Sequence, residues 1–143
     1  MLSIRLGQNK LIISAIILPV VIWCILLYFN LASHFLNYTL STPQVLIILL
    51  ASPLIEEIVF RDVFQSVILR QVRLVINIVI TNILFTILHF NNFSLYSMLF
   101  LLGVFVSGVL LSIIRWRYNN ILICILLHAY YNTFVVLISY YYT

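Results

Sequence analysis

Three carboxylic acids stand within seven positions of an otherwise apolar chain: Glu56, Glu57 and Asp62, with Arg61 among them. They are the only acids in its 143 residues. Further along come His89, His128 and Asn132. A carboxylate and an imidazole that share a water can take its proton as it attacks an amide carbonyl. Donors on a second segment can stabilise the charge that develops on the carbonyl oxygen. Spacing sorts the set further. Glu57 and Arg61 are i and i+4, acid first, the favourable order for a pair on a helix. Glu56 points about 100° away from Glu57. Its i+4 neighbour is Phe60, so no partner is expected on its own helix. His128 and Asn132 are also four apart and share a face. Pro53 removes a backbone bond to the preceding turn, so a kink is expected there.

The surroundings of these groups follow from composition. Apolar residues make up 65% of the chain and charged residues 7%, against about 25% charged in a soluble domain. Too little polar surface is present to cover a water-soluble globule. An integral membrane protein is implied; a soluble enzyme, a disordered regulator and a nucleic-acid module are excluded. The net charge of +4 comes from seven cations against three acids, and scattered cations in such a chain set topology. A charge near the bilayer centre costs roughly 2.5–3.5 kcal/mol. The four charges from Glu56 to Asp62 therefore cost on the order of 10 kcal/mol before any offset. Such a cluster faces a cavity or the bundle interior. Its meaning is a functional site or, more blandly, an ion-pair network that fixes helix packing.

The elements that must position these residues are helices. A crossing needs about 20 apolar residues. Five stretches qualify: Leu11 to Leu31, Pro43 to Leu69, Leu74 to Phe90, Leu95 to Ile114 and Ile121 to Tyr140. The fold class expected is all-α, a polytopic membrane helix bundle in one domain spanning 1–143. The first run follows Arg5 and Lys10 as a signal peptide would, but it is too long for one and reads as a retained helix. Short polar links make neighbouring helices antiparallel. Arg5, Lys10, Arg70, Arg73, Arg115 and Arg117 then fall on one side, so the N-terminus is expected to be cytoplasmic. Tyr140, Tyr141 and Tyr142 suit the outer headgroup region, and an Ile-, Asn- and Tyr-rich chain points to a prokaryotic plasma membrane. His34 reads as a solvated loop residue. Cys24 and Cys124 read as buried hydrophobes. The sequons at Asn37 and Asn92 are weak signals. At helical rise, Glu56 lies about 22 Å and His89 about 27 Å from the inner turn, but His128 only about 15 Å. Tilt or a late helix start has to absorb that mismatch.

Three motifs resemble those of the CPBP family, the CAAX protease and bacteriocin-processing membrane proteins. They are EExxxR at Glu56 to Arg61, FxxxH at Phe85 to His89, and HxxxN at His128 to Asn132. The resemblance covers a core at 43–143; the helix at 11–31 is additional to it. It implies an intramembrane glutamate protease with no cofactor, acting on a peptide or protein substrate in or near the bilayer. It implies that Glu56 and His89 activate water, that His128 and Asn132 hold the oxyanion, and that Glu57 and Arg61 support the site. Asp62 departs from the family, which usually has glycine there. Three other readings remain. Glu56, His89 and His128 match the three ligands of a catalytic zinc, although HExxH is absent. A non-enzymatic immunity or partner-binding protein of the same fold would not need all four catalytic positions. A proton or ion carrier would use the Glu/His chain directly.

Overall fold

The computed structural model describes residues 10–18, 20–22, 25, 40–90, 93 and 95–141. The expectations for Cys24, His34, Tyr142 and both sequons lie outside the described residues, as does much of the span after Ile22. Among the described residues there are five helices, α1 (Lys10–Ile22), α2 (Thr42–Ile68), α3 (Leu74–Ile87), α4 (Leu95–Tyr118) and α5 (Ile121–Tyr141). No strand occurs among the described residues. The fold is the all-α membrane bundle.

Local chemistry sets the helix ends. α2 begins with a capping box: the backbone N–H and hydroxyl of Ser41 both donate to Gln44 Oε1, at 2.8 and 2.9 Å, and Pro43 occupies the first turn. Its far end is closed by Asn77 from α3, whose Nδ2 donates to the carbonyls of Gln65 and Leu69, each at 2.9 Å. The Leu69 carbonyl also accepts the Val72 amide at 3.0 Å, so backbone and side chain together close this end. α4 runs four residues beyond its expected end, to Tyr118. Asn119 then turns the chain with φ of 49°, a left-handed conformation that asparagine tolerates. Asn120 caps α5 by accepting from the Leu122 amide at 2.9 Å.

Within α2 the winding is not uniform. Ile47–Ala51 and Ile58–Ile68 are wound in wide π-type turns, and Ser52–Glu57 between them is α-helical. The expected break at Pro53 thus takes the form of a widened turn. Pro53 has no amide hydrogen. In the i→i+5 pattern that joins Ser52 N–H to the Ile47 carbonyl, Pro53 would be the donor to Ile48. The Ile48 carbonyl is therefore left over, and another helix supplies its donor, as described below.

Polarity is arranged for lipid. Leu50, Val67, Val75, Leu102 and Leu126 are exposed, whereas Glu57, Arg61, Gln65, Asn77, Thr81, Asn82, Ser112 and His128 are buried. Apolar side chains face outward and polar ones meet between helices, as hydrocarbon surroundings require. One apolar cluster joins α1, α4 and α5 through Ala15, Leu111, Ile114, Cys124, Leu127 and Tyr131. The Tyr131 hydroxyl donates to the Ala15 carbonyl at 3.1 Å and ties α1 to α5. Cys124 is a buried free thiol. Asp62 stands apart from the other acids: it accepts from Arg115 at 2.7 Å, tying α2 to α4. Asp62 is half exposed, so the pair contributes about 0–1 kcal/mol at most.

Candidate active site

α2 carries Glu56 and Glu57 on adjacent faces, and the two carboxylates have different partners. Glu57 is fully buried. Its Oε2 lies 3.2 Å from Nε of Arg61, one turn on, which is also fully buried. Its Oε1 accepts from Nδ1 of His128 on α5 at 2.8 Å. Glu57 therefore bridges an arginine on its own helix and a histidine from another. The first contact follows from i,i+4 spacing. The second joins residues 71 apart in sequence and has no local signature.

Glu56 is not without a partner on its own helix, as its i+4 position implied. Ser52, at i−4, donates its hydroxyl to Glu56 Oε1. Serine and glutamate four apart share a helix face, so the signal was present on the N-terminal side of Glu56. With Oε1 held, Oε2 faces two imidazoles. It lies 3.6 Å from Nε2 of His89 and 3.7 Å from Nε2 of His128. Glu56 was expected nearest His89; His89 is the nearer of the two imidazoles, with His128 almost as close.

His89 does not close α3 as its span predicted. The helix ends at Ile87, and the amides of His89 and Phe90 bond Thr86 and Ile87 in tightened three-residue turns, each at 3.0 Å. The Phe85 carbonyl loses its usual i+4 amide in this way. The His89 ring takes that place, with Nδ1 2.9 Å from the carbonyl oxygen. Phe85 also packs its ring against three members of the site. Ring centroids are 4.7 Å apart with His89 and 5.8 Å apart with His128, and the Arg61 guanidinium sits 4.9 Å from its centroid. The motif phenylalanine thus shelves both histidines and the arginine.

These contacts fix the ring protons. A carbonyl can only accept, so Nδ1 of His89 carries hydrogen and its Nε2 presents a lone pair when the ring is neutral. A carboxylate beside Arg61 likewise accepts from Nδ1 of His128. With both rings neutral, both Nε2 atoms point as acceptors at one carboxylate oxygen, Glu56 Oε2, which is itself buried without a hydrogen-bond donor. Three acceptors cannot face one another without a proton or a donor molecule among them. The gaps exceed a direct hydrogen bond, and a water lying off the line between two such atoms reaches both at about 2.8 Å.

Asn132 is oriented by α2. Its Nδ2 donates at 2.9 Å to the Ile48 carbonyl, the group that Pro53 leaves without a donor. The second amide hydrogen is available to the cavity that Asn132 lines. Asn132→Leu should strand the Ile48 carbonyl, at a cost of about 1–3 kcal/mol, and lower the thermal midpoint of the detergent-solubilised protein. An unchanged midpoint would show that this carbonyl is satisfied in another way.

That cavity has a volume of about 350 Å³. Its walls are mainly apolar and come from α1, α3, α4 and α5, with Leu18, Phe100, Leu102 and Leu110 among them. His89, His128 and Asn132 line it; Glu56 does not, and meets it through the two imidazoles. Only three of the four residues expected on one cavity border it directly. No group of three histidine, cysteine or acidic residues arranged to hold a metal is found among the described residues.

The sequence model of the family described as type II CAAX prenyl endopeptidase Rce1-like matches residues 38–134. This chain belongs to that family. The match covers all three motifs and most of α2 to α5, and places the protein within the CPBP group of integral membrane proteins. No curated protein and no solved structure matches the chain. Membership makes proteolysis at the membrane the activity to be explained.

Proposed function

We propose that this protein is an intramembrane endopeptidase that cleaves a peptide bond with water activated by Glu56 and His89, without a metal. The observation that supports this best is the convergence of His89 Nε2 and His128 Nε2 on Glu56 Oε2, at 3.6 and 3.7 Å, beside an apolar cavity. Water at that point donates one hydrogen to the carboxylate. As its oxygen bonds to the amide carbon, its proton passes to Glu56, with His89 sharing it. The carbonyl oxygen gains the charge and is met by His128 and Asn132. Because Nδ1 of His128 is committed to Glu57, Nε2 is the ring nitrogen left to face the oxyanion, and it donates there only while it carries a proton. The proton held by Glu56 and His89 then moves to the amide nitrogen. The C–N bond breaks, leaving an amine and a carboxylic acid.

The family description names CAAX prenyl proteins as substrates. In this chain the apolar walls beside His89 and His128 suit an apolar substrate segment next to the scissile bond. The N-terminus on the cytoplasmic side remains part of the same proposal, on the strength of the cation distribution.

The test is cleavage of lipid-modified and unmodified membrane peptides by the purified protein in bilayers, with and without a strong chelator. Cleavage that persists with the chelator is expected. Cleavage that stops with the chelator and returns with zinc would replace water activation by Glu56 with a zinc site on Glu56, His89 and His128. A proton or ion flux in the absence of cleavage would favour the carrier function instead.

A further inference from the structure

A second layer of polar groups lies behind Glu57, and no motif covers it. The Arg61 guanidinium is fully buried. Its Nε is near Glu57 and its face lies on Phe85. Its Nη1 and Nη2 have no acceptor. Asn82 on α3 is also fully buried. Its Nδ2 donates to the Ser112 hydroxyl on α4 and to the Ile78 carbonyl, both at 2.8 Å. With both amide hydrogens committed, the direction of Oδ1 is fixed, and Oδ1 has no donor. A donor without an acceptor and an acceptor without a donor are thus both buried in the same interhelical space.

Gly108 on α4 shows that both lie close to one point, although no hydrogen bond joins them directly. A Cβ at this position would stand 2.4 Å from Asn82 Oδ1 and 3.3 Å from Arg61 Nη2. Both atoms crowd a point at which α4 has no side chain. Gly103, a turn and a half earlier, has nothing within 4 Å of its would-be Cβ. Close approach is therefore specific to Gly108, and what approaches is the polar end of Asn82 together with the guanidinium.

We propose that Asn82 is a positioning residue for the candidate active site, acting through Arg61, with Gly108 supplying its space and Ser112 its orientation. An amide oxygen is a neutral acceptor. It can hold the Nη end of Arg61 without competing for charge with Glu57. Nε then stays on Glu57, Glu57 stays on Nδ1 of His128, and Nε2 of His128 stays on Glu56. The relay crosses α3, α4, α2 and α5 and sets the angle of a ring that must aim at an oxyanion. Its functional consequence rests on the protease activity proposed above; its structural part does not.

Two measurements test it. In the cleavage assay, Asn82→Leu and Gly108→Ala should each lower kcat by about 10- to 100-fold, the loss expected when a reacting group is misplaced by an ångström or so. KM should stay within about twofold, since neither residue lines the cavity. Gly108→Ala keeps every polar group and moves only Asn82 and Arg61, so it serves if Asn82→Leu folds poorly. Gly103→Ala is the stability control for an alanine placed in α4. The second measurement needs no substrate. Asn82→Leu should lower the thermal midpoint of the wild type, and that loss should be smaller in a Glu57→Gln/Arg61→Met background, because only the bonds to Ser112 and Ile78 are then lost and there is no guanidinium to hold. Unchanged kcat in both single variants, or an equal midpoint loss in the two backgrounds, would overturn the proposal. If no peptide is cleaved at all, the protease proposal fails while the stability cycle still decides the link between Asn82 and Arg61.

Discussion

Glu56→Gln is expected to lower kcat for a cleavable membrane peptide by at least about 100-fold, the lower end of what a positioned general base contributes. Glutamine keeps the size of the side chain and can still accept from the Ser52 hydroxyl, so the fold of α2 should persist. What it loses is the carboxylate. Its amide nitrogen could even donate to one of the two Nε2 lone pairs, holding the rings in place while removing the base. Substrate binding should therefore survive, and KM or the affinity for an uncleavable peptide should change little. This separation distinguishes loss of chemistry from loss of structure. A Glu56→Gln variant that cleaves at the wild-type rate would show that another group activates the water, or that Glu56 acts only by position.

Arg61→Ala should have the largest effect on stability. Arg61 and Glu57 are both fully buried, and Glu57 also holds His128. Removing the cation leaves a carboxylate stranded between helices. Breaking a buried pair from one side typically costs about 3–5 kcal/mol. It also removes the group that rests on the Phe85 ring. Folded yield and thermal midpoint should both fall, together with activity. The paired replacement Glu57→Gln/Arg61→Met strands no charge and should recover much of the yield, since an apolar substitute for a buried pair is often tolerated. Activity should not return with it, because glutamine is a weaker anchor for Nδ1 of His128. If Arg61→Ala expresses and melts like the parent, the pair is not structural.

Several features of the site were legible because they obey local periodicity. The Glu57–Arg61 contact follows from i,i+4 spacing, and the shared face of His128 and Asn132 follows from the same rule. The motifs singled out Glu56, His89, His128 and Asn132; the two histidines approach Glu56 Oε2, and Asn132 lines the same cavity as the histidines. Ser52 was legible in principle, one turn before Glu56. Other contacts had no local cause. The His128–Glu57 bond joins α5 to α2. The Asn132 bond to Ile48 depends on how α2 winds before a proline that cannot donate. Asn77 reaching the end of α2, and Asn82 reaching Ser112 on α4, are likewise contacts that no local spacing relates.

The sequence by itself determined the solvent and the class of fold. A chain with so few charges must place its surface in lipid, and in lipid each long apolar run must satisfy its backbone internally, as a helix. It also determined which side chains were too costly to bury without a purpose, because ionisable groups are scarce and their insertion cost is large. The tertiary structure decided which carboxylate meets which imidazole. Glu56 and Glu57 are adjacent and chemically alike; the approach of α5 hands Nδ1 of His128 to one and Nε2 to the other. It also decided the tautomers, since a ring proton is fixed by the carbonyl or carboxylate opposite it. Those choices belong to contacts between helices, where three-dimensional packing brings together residues that no spacing along the chain relates.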